Sequence, residues 1–386
     1  MRVIGLMSGT SHDAIDAVGV EIGMRDDAMH IRIAGLLSRP YPDRLRSELV
    51  AALPPGSVDM AAVCRLDTAI GQEFAAAAAA ASSEFFGGAA DLVASHGQTV
   101  YHWVRGGRAR GTLQLGQPAW IAEATGLPVV SDFRARDIAA GGQGAPLVAL
   151  FDMLWLAGRP VRSAALNIGG IANVTVTGDS PAAFDTGPGN ALIDAAVAIV
   201  TDGGEHFDRA GARAERGAVD DKLLKQLLAE PYYSEPPPKS TGKELFNRDY
   251  LARVLRDRPL APDDIVATVT ALTAHTIADA LEPFALTEII ASGGGTRNPA
   301  LVAMLRDRLG AARLRTSDEL GLPSAAKEAT AFAVLGFLTA HGHAGSYAAC
   351  TGAAHASVLG SLTPGAAGFD FPAASFTPPR RLTVTG

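Results

Sequence analysis

The sequence predicts an α/β protein made of two related halves. Two glycine-rich hairpins carry this prediction, because one opens each half of the chain and the two resemble each other in length and composition. Apolar strand segments alternate with helical segments after each hairpin, which is the pattern of an α/β protein. At 386 residues the chain is also long enough for two domains of ordinary size.

Each hairpin is predicted from an apolar strand, a tight glycine turn and a second strand. In the first, the strand Arg2–Leu6 leads into the turn Met7–Ser11 and then into Ile15–Ile22. The second repeats this arrangement over Ser163–Asn167, Ile168–Gly170 and Ile171–Thr177.

Helices and further strands are predicted from start and stop signals between the hairpins and after them. The helix signals are an Asn-Pro start, an acidic first turn or a closing glycine. The helices cover Ala61–Phe86, Asn190–Val200, Asp263–Leu281, Asn298–Leu309 and Ser324–Ala340. The strands cover Leu92–Ser95, Val129–Ser131 and Ile289–Ser292.

Composition narrows the class of protein. Hydrophobic residues make up 48% and charged residues 19%, the balance of a soluble globular chain. With a net charge of −7 and no Lys/Arg-rich run, neither nucleic acid nor a membrane is an expected partner. Two cysteines, Cys64 and Cys350, without a CxxC motif predict no disulfide framework or zinc site. No signal peptide or long apolar span is recognised, so a cytoplasmic protein is expected.

Four glycine-centred segments are candidates for phosphate binding, because small residues let backbone N–H groups approach an anion closely. One alone is a weak indication, since glycine turns are common between strands and helices. Two phosphate-type hairpins followed by a late GGG segment are together what a nucleotide in an interdomain cleft requires. The segments are Gly5–Ser11, Asn167–Asn173, Phe184–Asn190 and Ser292–Gly295.

Competing signatures are absent from the sequence. It contains no GxxxxGK[ST], no GxGxxG after a strand, no HExxH and no GxSxG. Two SxxK matches, Ser240–Lys243 and Ser324–Lys327, lack their companion motifs and are interpreted as accidental.

Carboxylates are the catalytic candidates. Asp185 is predicted at a strand end before a glycine turn, where it either faces a ligand or caps the following helix. Asp13 and Asp16 flank the first hairpin and either orient magnesium or water, or serve the turn. Glu328, in the first turns of a helix, is either a site residue or a surface acid favoured by the helix dipole.

Two further segments leave alternatives open. In Ser131–Pro146, Arg134 and Arg136 stand beside aspartates, either as a salt-bridged corner or as a bidentate clamp for a substrate carboxylate. The proline-rich segment Glu230–Gly242 is either a surface excursion or a functional lid.

These segments resemble one family, the anhydro-N-acetylmuramic acid kinases, which belong to the actin/hexokinase/Hsp70 superfamily. The matching blocks follow the family order along nearly the whole chain. They are GLMSGTS from Gly5, SHGQTVYH from Ser95, LQLGQP from Leu113, SDFRARDIAAGGQGAPLV from Ser131, NIGGIANV from Asn167, FDTGPGNALID from Phe184, PPPKSTGKELF from Pro236, GGGTRNP from Gly293 and AKEATAFAVLG from Ala326.

The resemblance implies a two-domain actin-like (ribonuclease H-like) sugar kinase fold with an interdomain cleft. The expected first domain covers residues 1–135 and 345–386, and the second covers 136–344. A small-molecule sugar partner and a homodimer are implied in the same way.

The implied reaction opens the 1,6-anhydro bridge of anhydro-N-acetylmuramic acid and phosphorylates O6 from ATP with Mg²⁺. Its products are N-acetylmuramic acid 6-phosphate and ADP, in peptidoglycan recycling. Asp185 matches the family's catalytic base, which deprotonates the water that attacks the anomeric carbon.

The same resemblance, with the glycine segments, gives a set of expected site residues. ATP contacts are expected from Gly9, Thr10, Ser11, His12, Asp13, Ala14, Ile15, Asp16, Gly169, Gly170, Gly293, Gly294, Gly295 and Asn298. Sugar contacts are expected from His96, Gln98, Arg134, Thr186, Gly187 and Glu328. No direct metal ligand is predicted; Mg²⁺ is expected on the ATP phosphates, with Asp13 or Asp16 acting through water.

One departure from the family pattern lies in the first glycine loop. Ala14 stands where the family has glycine, and a positive φ there would cost about 1 kcal/mol. His12, another departure, is given no role of its own.

Three alternative functions stay open. The first is a kinase for another 1,6-anhydro sugar such as levoglucosan. The second is a non-catalytic actin-type nucleotide-binding protein, which the presence of Asp185 disfavours, and the third and most distant is an NAD-dependent oxidoreductase.

Overall fold

A computed structural model describes residues 1–9, 12–54, 56–157, 159, 161–178, 181–237, 239–242, 244–256, 258–368 and 376–385. The chain divides into two compact units. The first comprises Met1–Ala157 with Gly321–Gly386, and the second comprises Gly158–Leu320.

The strands and helices alternate along the chain. The strands are β1 (Arg2–Ser8), β2 (Ala14–Arg25), β3 (Ala28–Pro40), β4 (Leu92–Arg105), β5 (Arg108–Leu115), β6 (Val129–Ser131), β7 (Ser163–Ile168), β8 (Ile171–Val176), β9 (Ala182–Pro188), β10 (Glu288–Ser292), β11 (Arg313–Thr316), β12 (Ser361–Thr363) and β13 (Arg381–Thr385). The helices are α1 (Asp43–Ala52), α2 (Met60–Phe86), α3 (Pro118–Thr125), α4 (Phe133–Ala139), α5 (Ala149–Leu156), α6 (Ala191–Val200), α7 (Ala212–Arg216), α8 (Asp221–Leu228), α9 (Arg248–Leu255), α10 (Pro262–Leu281), α11 (Pro299–Leu309), α12 (Lys327–Ala340) and α13 (Ala348–Thr351).

The sheet of the first unit has the order β12-β6-β4-β1-β2-β3-β13, with β5 paired to β4. Strands β1, β2 and β3 form an antiparallel meander. On the other side of β1 the sheet continues through β4 and β6, which run parallel to it.

The sheet of the second unit repeats this plan in the order β11-β10-β7-β8-β9. Strands β7, β8 and β9 form the antiparallel meander, and β10 and β11 run parallel to β7. Because strand order and direction agree between the two units, the predicted α/β class and duplicated actin-like architecture are confirmed.

The bounds of the first unit differ from the predicted domain bounds. Residues 136–157 and 321–344, expected in the second domain, belong to the first unit. The reason is packing: α12 lies on β1, β2 and β4, and α5 packs against α12 and β13. The apolar sequences of α5 and α12 do not reveal which sheet each covers.

A close approach between β1 and α12 fixes this packing. A Cβ atom at Gly5 would collide with the backbone carbonyl of Ala329 in α12. Glycine at this position therefore lets the helix lie directly on the strand, because it has no side chain. The first turn of α12, which carries Glu328, is held beside the end of β1 in this way.

Most predicted element bounds agree with the structure within one or two residues. The α2 helix ends at Gly87 in the left-handed conformation, and α11 begins with Pro299 after the side-chain cap Asn298. The largest difference is β4, which extends to Arg105 and pairs with the unpredicted strand β5, where exposed side chains give a weak pattern. No helix in the described ranges is both long and apolar enough to cross a membrane.

Candidate active site

The first glycine loop connects β1 to β2 in the first unit. The amide of His12 donates to the carbonyl of Gly9 across 3.3 Å, and His12 has φ of 55°. Ala14 is already the first residue of β2 and pairs with Pro40, so the strain considered at Ala14 does not arise. The left-handed residue is His12 instead. The predicted contacts Thr10 and Ser11 lie outside the described residues.

A buried amide side chain is hydrogen-bonded to the start of this loop. Gln98 in β4 accepts from Ser8 Oγ at 2.7 Å and donates to the Gly9 carbonyl at 3.3 Å. Gln98 has 0% exposure. In this structure the side chain of Gln98 supports the loop, and its predicted contact with the sugar stays a prediction.

The loop leads into a strand that carries acidic side chains. Asp16 faces Met7 in the register of β1 and β2, and its side chain is half-buried. Asp13 is exposed at the strand entry, and Ile15 between them is fully buried in the core. Ile15 therefore contributes packing, while the exposed Asp13 and the half-buried Asp16 present carboxylates near the loop.

A histidine and an arginine form the second feature of the first unit. His96 Nδ1 lies 2.8 Å from the carbonyl of Gly97, and Arg134 Nε donates to His96 Nε2 across 2.9 Å. Nδ1 must carry the proton, because its neighbour is an acceptor. Burial, and secondarily the charge of Arg134, lowers the pKa of His96 to about 3, so the ring is neutral.

The ring of His96 is enclosed in this structure. Both ring nitrogens are engaged and only 3% of the residue is exposed. The predicted direct sugar contact of His96 stays a prediction. Its role in the structure is to fix the guanidinium of Arg134.

Arg134 also donates from Nη1 to the carbonyl of Gly144, across 2.6 Å. Its Nη2 has no acceptor in the part of the chain that the structure describes. Burial lowers the pKa of Arg134, while the nearby charges of Glu328 and Asp137 favour the charged form. Neutral acceptors thus hold the guanidinium in place, which favours the carboxylate clamp over the salt-bridged corner.

The backbone amide of Gly144 is itself bonded to Asp137, which sequence reasoning did not single out for this role. Asp137 is completely buried; its carboxylate accepts from the Gly144 amide at 2.8 Å and from Thr351 Oγ1 at 2.7 Å. An aspartate three residues after an arginine and just before a GGQG turn is the signal that could have indicated it.

In the second unit, three glycine segments meet. The amide of Gly189 donates to Gly170 at 2.9 Å, and the amide of Asn190 donates to Gly169 at 2.8 Å. Gly293 has φ of 85°, and a Cβ atom there would collide with Asn167. These contacts bring the segments predicted to bind the nucleotide into one cluster.

The glycines of the GGG segment differ in solvent exposure. Gly294 is exposed, whereas Gly295 is buried against Ile168. The predicted nucleotide contact Asn298 is 7% exposed, and its Oδ1 accepts from the amide of Leu301 at 3.1 Å. Asn298 thus caps α11, and its predicted nucleotide contact stays a prediction.

Asp185 lies inside β9, opposite Asn173 of β8, rather than at a strand end. Its Oδ2 accepts from Ser240 Oγ at 3.1 Å and from the Thr241 amide at 3.0 Å. The helix-capping alternative is therefore excluded, because α6 begins only after Asn190. Burial raises the pKa of Asp185 to about 6, although the two donors act against that rise.

Thr186 and Gly187 follow Asp185 in β9, where the pairing with β8 shifts register. The Oγ1 of Thr186 donates to the Ala172 carbonyl at 3.3 Å. Thr186 is 1% exposed and forms part of the wall of a cavity of about 490 Å³. Gly187 packs against Tyr233 and Thr276. The predicted sugar contacts of Thr186 and Gly187 stay predictions.

Comparison with known proteins agrees with the sequence blocks. Residues 1–365 match the family described as anhydro-N-acetylmuramic acid kinase. The chain belongs to this family. An anhydro-N-acetylmuramic acid kinase of Streptomyces avermitilis is 60% identical over 385 residues, covering 100% of both chains. One of Rhodococcus erythropolis is 60% identical over 378 residues, covering 95% of each.

A solved structure with a similar trace is a ROK family glucokinase from Streptomyces griseus in complex with glucose and AMPPNP. It is 14% identical, covers 87% of this chain and 99% of its own, and has a TM-score of 0.40. Membership of the anhydro-N-acetylmuramic acid kinase family makes this chain an enzyme of the kinase class.

Proposed function

We propose that this kinase hydrolytically opens the 1,6-anhydro ring of anhydro-N-acetylmuramic acid and transfers the γ-phosphoryl group of ATP to O6. The observation that carries the proposal is the carboxylate of Asp185. Its Oδ2 is held by two donors, and in the described residues no group donates to Oδ1. A fixed carboxylate with one available oxygen and a pKa of about 6 suits a general base at neutral pH.

In the proposed reaction, Asp185 Oδ1 takes a proton from a water molecule as its oxygen attacks C1 of the sugar. The C1–O6 bond breaks, and its electron pair stays on O6. O6 then attacks the γ-phosphorus, and the bond to the β,γ-bridging oxygen breaks to release ADP. Asp185 afterwards returns its proton to solvent. The products are N-acetylmuramic acid 6-phosphate and ADP.

The nucleotide contacts are assigned to the glycine segments. The loop from Gly9 to Asp16 supplies backbone N–H groups to the phosphates, as does the Gly169–Gly170 hairpin. The exposed Gly294 is the member of the GGG segment that is accessible to the nucleoside.

Magnesium fits the donor chemistry beside the first glycine loop. In the described part of the chain, no cluster of three metal-ligating side chains occurs. Asp13 and Asp16 nevertheless present carboxylates there, and Mg²⁺ is commonly held by one or two carboxylates together with water and substrate phosphates. When bound, the ion supplies neutralising charge to the phosphates.

Sugar recognition is assigned to Arg134 and Glu328 of the first unit. The Nη2 group of Arg134 is oriented by two fixed bonds from the same guanidinium, which suits it to a carboxylate. N-acetylmuramic acid carries a lactyl carboxylate, whereas levoglucosan has none. This difference favours the muramic acid derivative over the simpler anhydro sugar.

The cellular setting that we propose follows from the substrate. An enzyme that consumes an anhydro-muramic acid and ATP acts in peptidoglycan recycling in the cytoplasm. A homodimer is proposed from the family resemblance.

The proposal is tested by ADP release with anhydro-N-acetylmuramic acid, levoglucosan or N-acetylmuramic acid, each with and without Mg²⁺. We expect Mg²⁺-dependent turnover of anhydro-N-acetylmuramic acid that falls by a factor of about 10²–10⁴ in Asp185→Asn. If only levoglucosan is turned over, the proposed substrate is wrong and the proposed mechanism is kept. ATP binding without turnover of any sugar would refute the kinase assignment.

A further inference from the structure

The segment 230–242 surrounds Asp185 with hydrogen bonds. Besides the two donors to Oδ2, the Asp185 amide donates to the carbonyl of Lys239 at 3.1 Å. The Asp185 carbonyl accepts from the hydroxyl of Tyr232 at 2.7 Å. The backbone and one carboxylate oxygen of this residue are thus all bonded to a single segment.

The position of β9 explains why this is possible. It is an edge strand, paired only with β8, so the outward amide and carbonyl of Asp185 have no strand partner. Unpaired edge groups are open to any segment that covers them. Here the segment 230–242 bonds to the backbone of Asp185 as a further strand would. It also brings Ser240 and Thr241 to the carboxylate of Asp185.

Lys239 joins the two ends of this segment by hydrogen bonds. Its ammonium group donates to the carbonyls of Tyr232 at 3.2 Å and Tyr233 at 3.0 Å. It also lies 4.8 Å from the centre of the Tyr232 ring. The end of the segment that carries Ser240 is therefore tied to its beginning, whose Tyr232 holds the Asp185 carbonyl.

The beginning of the segment is anchored in the core of the second unit. The Tyr233 ring stacks on Phe246, with centroids 5.7 Å apart and an angle of 5° between the planes. Tyr232 meets the same ring edge-on at 5.9 Å. Stacked and edge-on aromatic contacts of this kind resist displacement, so the lysine is tied to a rigid base.

We propose that Ser240 and Lys239 are positioning residues of the reaction. Ser240, with the Thr241 amide, holds Oδ2 so that Oδ1 of Asp185 faces the attacking water, and Lys239 locks the segment that presents Ser240. This inference rests on the proposed role of Asp185 as the base. It gives the proline-rich segment a function, where the sequence left a surface excursion or a lid open.

The Ser240 hydrogen bond favours the charged form of Asp185, so its removal raises the pKa of that carboxyl. Among the described residues, Glu244 raises the pKa of this carboxyl by its charge, and the Tyr232 hydroxyl bonds to the backbone carbonyl of the same residue. In Ser240→Ala we expect the pKa to rise by about 0.5–1 unit and kcat to fall about tenfold, with KM for the sugar within about twofold. Ser240→Thr keeps a hydroxyl and should recover both values.

The pKa is measured on the carboxyl carbon of Asp185 by ¹³C NMR, with Asp185→Asn providing the assignment. The matched control is Ser234→Ala, because Ser234 lies in the same segment and bonds to Pro231 rather than to Asp185. A pKa in Ser240→Ala equal to that of the wild type would overturn the inference. This readout needs no turnover, so it separates failure of the inference from failure of the proposed function.

Lys239 is tested by Lys239→Met and Lys239→Arg. We expect Lys239→Met to lower kcat about tenfold at an unchanged melting temperature, and Lys239→Arg, which keeps the charge and donors, to recover most of the loss. The control is Lys222→Met, at an exposed position of α8. If Lys239→Met keeps the wild-type kcat, the locking role is refuted. If Lys239→Met unfolds, ¹³C titration of Lys239→Gln decides, because its shorter, uncharged side chain does not bridge both carbonyls: a raised pKa of Asp185 and a lowered kcat support the role, and wild-type values contradict it.

Discussion

Arg134 donates its Nε–H to the Nε2 atom of buried His96 across 2.9 Å. The imidazole can accept this bond only while it is neutral, and its lowered pKa keeps it neutral over the whole physiological range. The arginine therefore has a partner that fixes its direction without cancelling its charge. A carboxylate in place of His96 would have fixed and neutralised it together.

Replacing His96 tests this positioning. In His96→Leu, which cannot accept the bond, we expect KM for the sugar to rise about tenfold, since roughly one hydrogen bond to a charged group is lost. KM for ATP should stay within about twofold. Steady-state kinetics with each substrate varied gives both values, and His96→Gln, which offers an acceptor, should recover part of the loss. His206→Asn, at an exposed position of the second unit, is the control. Equal changes in both KM values would contradict the assignment.

The pH dependence of kcat/KM reports the ionisation of Asp185. Because the raised pKa of about 6 belongs to a group that must be deprotonated, activity should fall as the pH drops below about 6, by tenfold per unit. The charge of Glu244 raises this pKa, so Glu244→Gln should move the acidic limb to lower pH. Rate profiles of the wild type and Glu244→Gln between pH 4.5 and 8 check the sign, and a limb that moves upward in the variant would disprove it.

The ion pair between Lys327 and Asp152 stabilises the contact of α12 with α5. The two charged atoms are 2.8 Å apart, and Lys327 is 2% exposed. Lys327→Met leaves a buried carboxylate without this partner, so we expect a loss of about 3–5 kcal/mol in the free energy of unfolding. Urea denaturation measures it, with Lys222→Met as the control. The double variant Lys327→Met/Asp152→Leu should recover most of the loss; an equally unstable double variant would contradict the explanation.

The close contact of β1 with α12 is tested at Gly5. Gly5→Ala places a methyl group against the carbonyl of Ala329 and should cost about 1–3 kcal/mol in the free energy of unfolding. Displacement of α12 also moves Glu328, so KM for the sugar should rise. Gly23→Ala is the matched control, because it lies in the neighbouring strand and a Cβ there meets nothing within 4 Å. Similar stability of the two variants, measured by thermal denaturation, would rule out the packing constraint.

Much of the fold could be predicted because its signals are local. Glycine hairpins, the Asn-Pro start of α11 and the glycine stop of α2 each act through a few neighbouring residues, so the sequence shows them directly. Asp185, the proposed base, was also recognisable as a candidate from the glycines that follow it. The supporting contacts of Gln98 and His96 and the capping contact of Asn298 could not be predicted, because these residue types fit a ligand site as well as they fit a support or a cap.

The sequence by itself determined the α/β class, the duplicated hairpins and the family. Only the tertiary structure decided which polar side chains are enclosed, since burial depends on elements far apart in the chain. In the tertiary structure α12 packs on the first sheet because Gly5 leaves space for it, and both ring nitrogens of His96 have hydrogen-bond partners. The tertiary structure also set Ser240 and Lys239 around Asp185, more than 50 residues away, because an edge strand leaves backbone groups that a distant segment can bind.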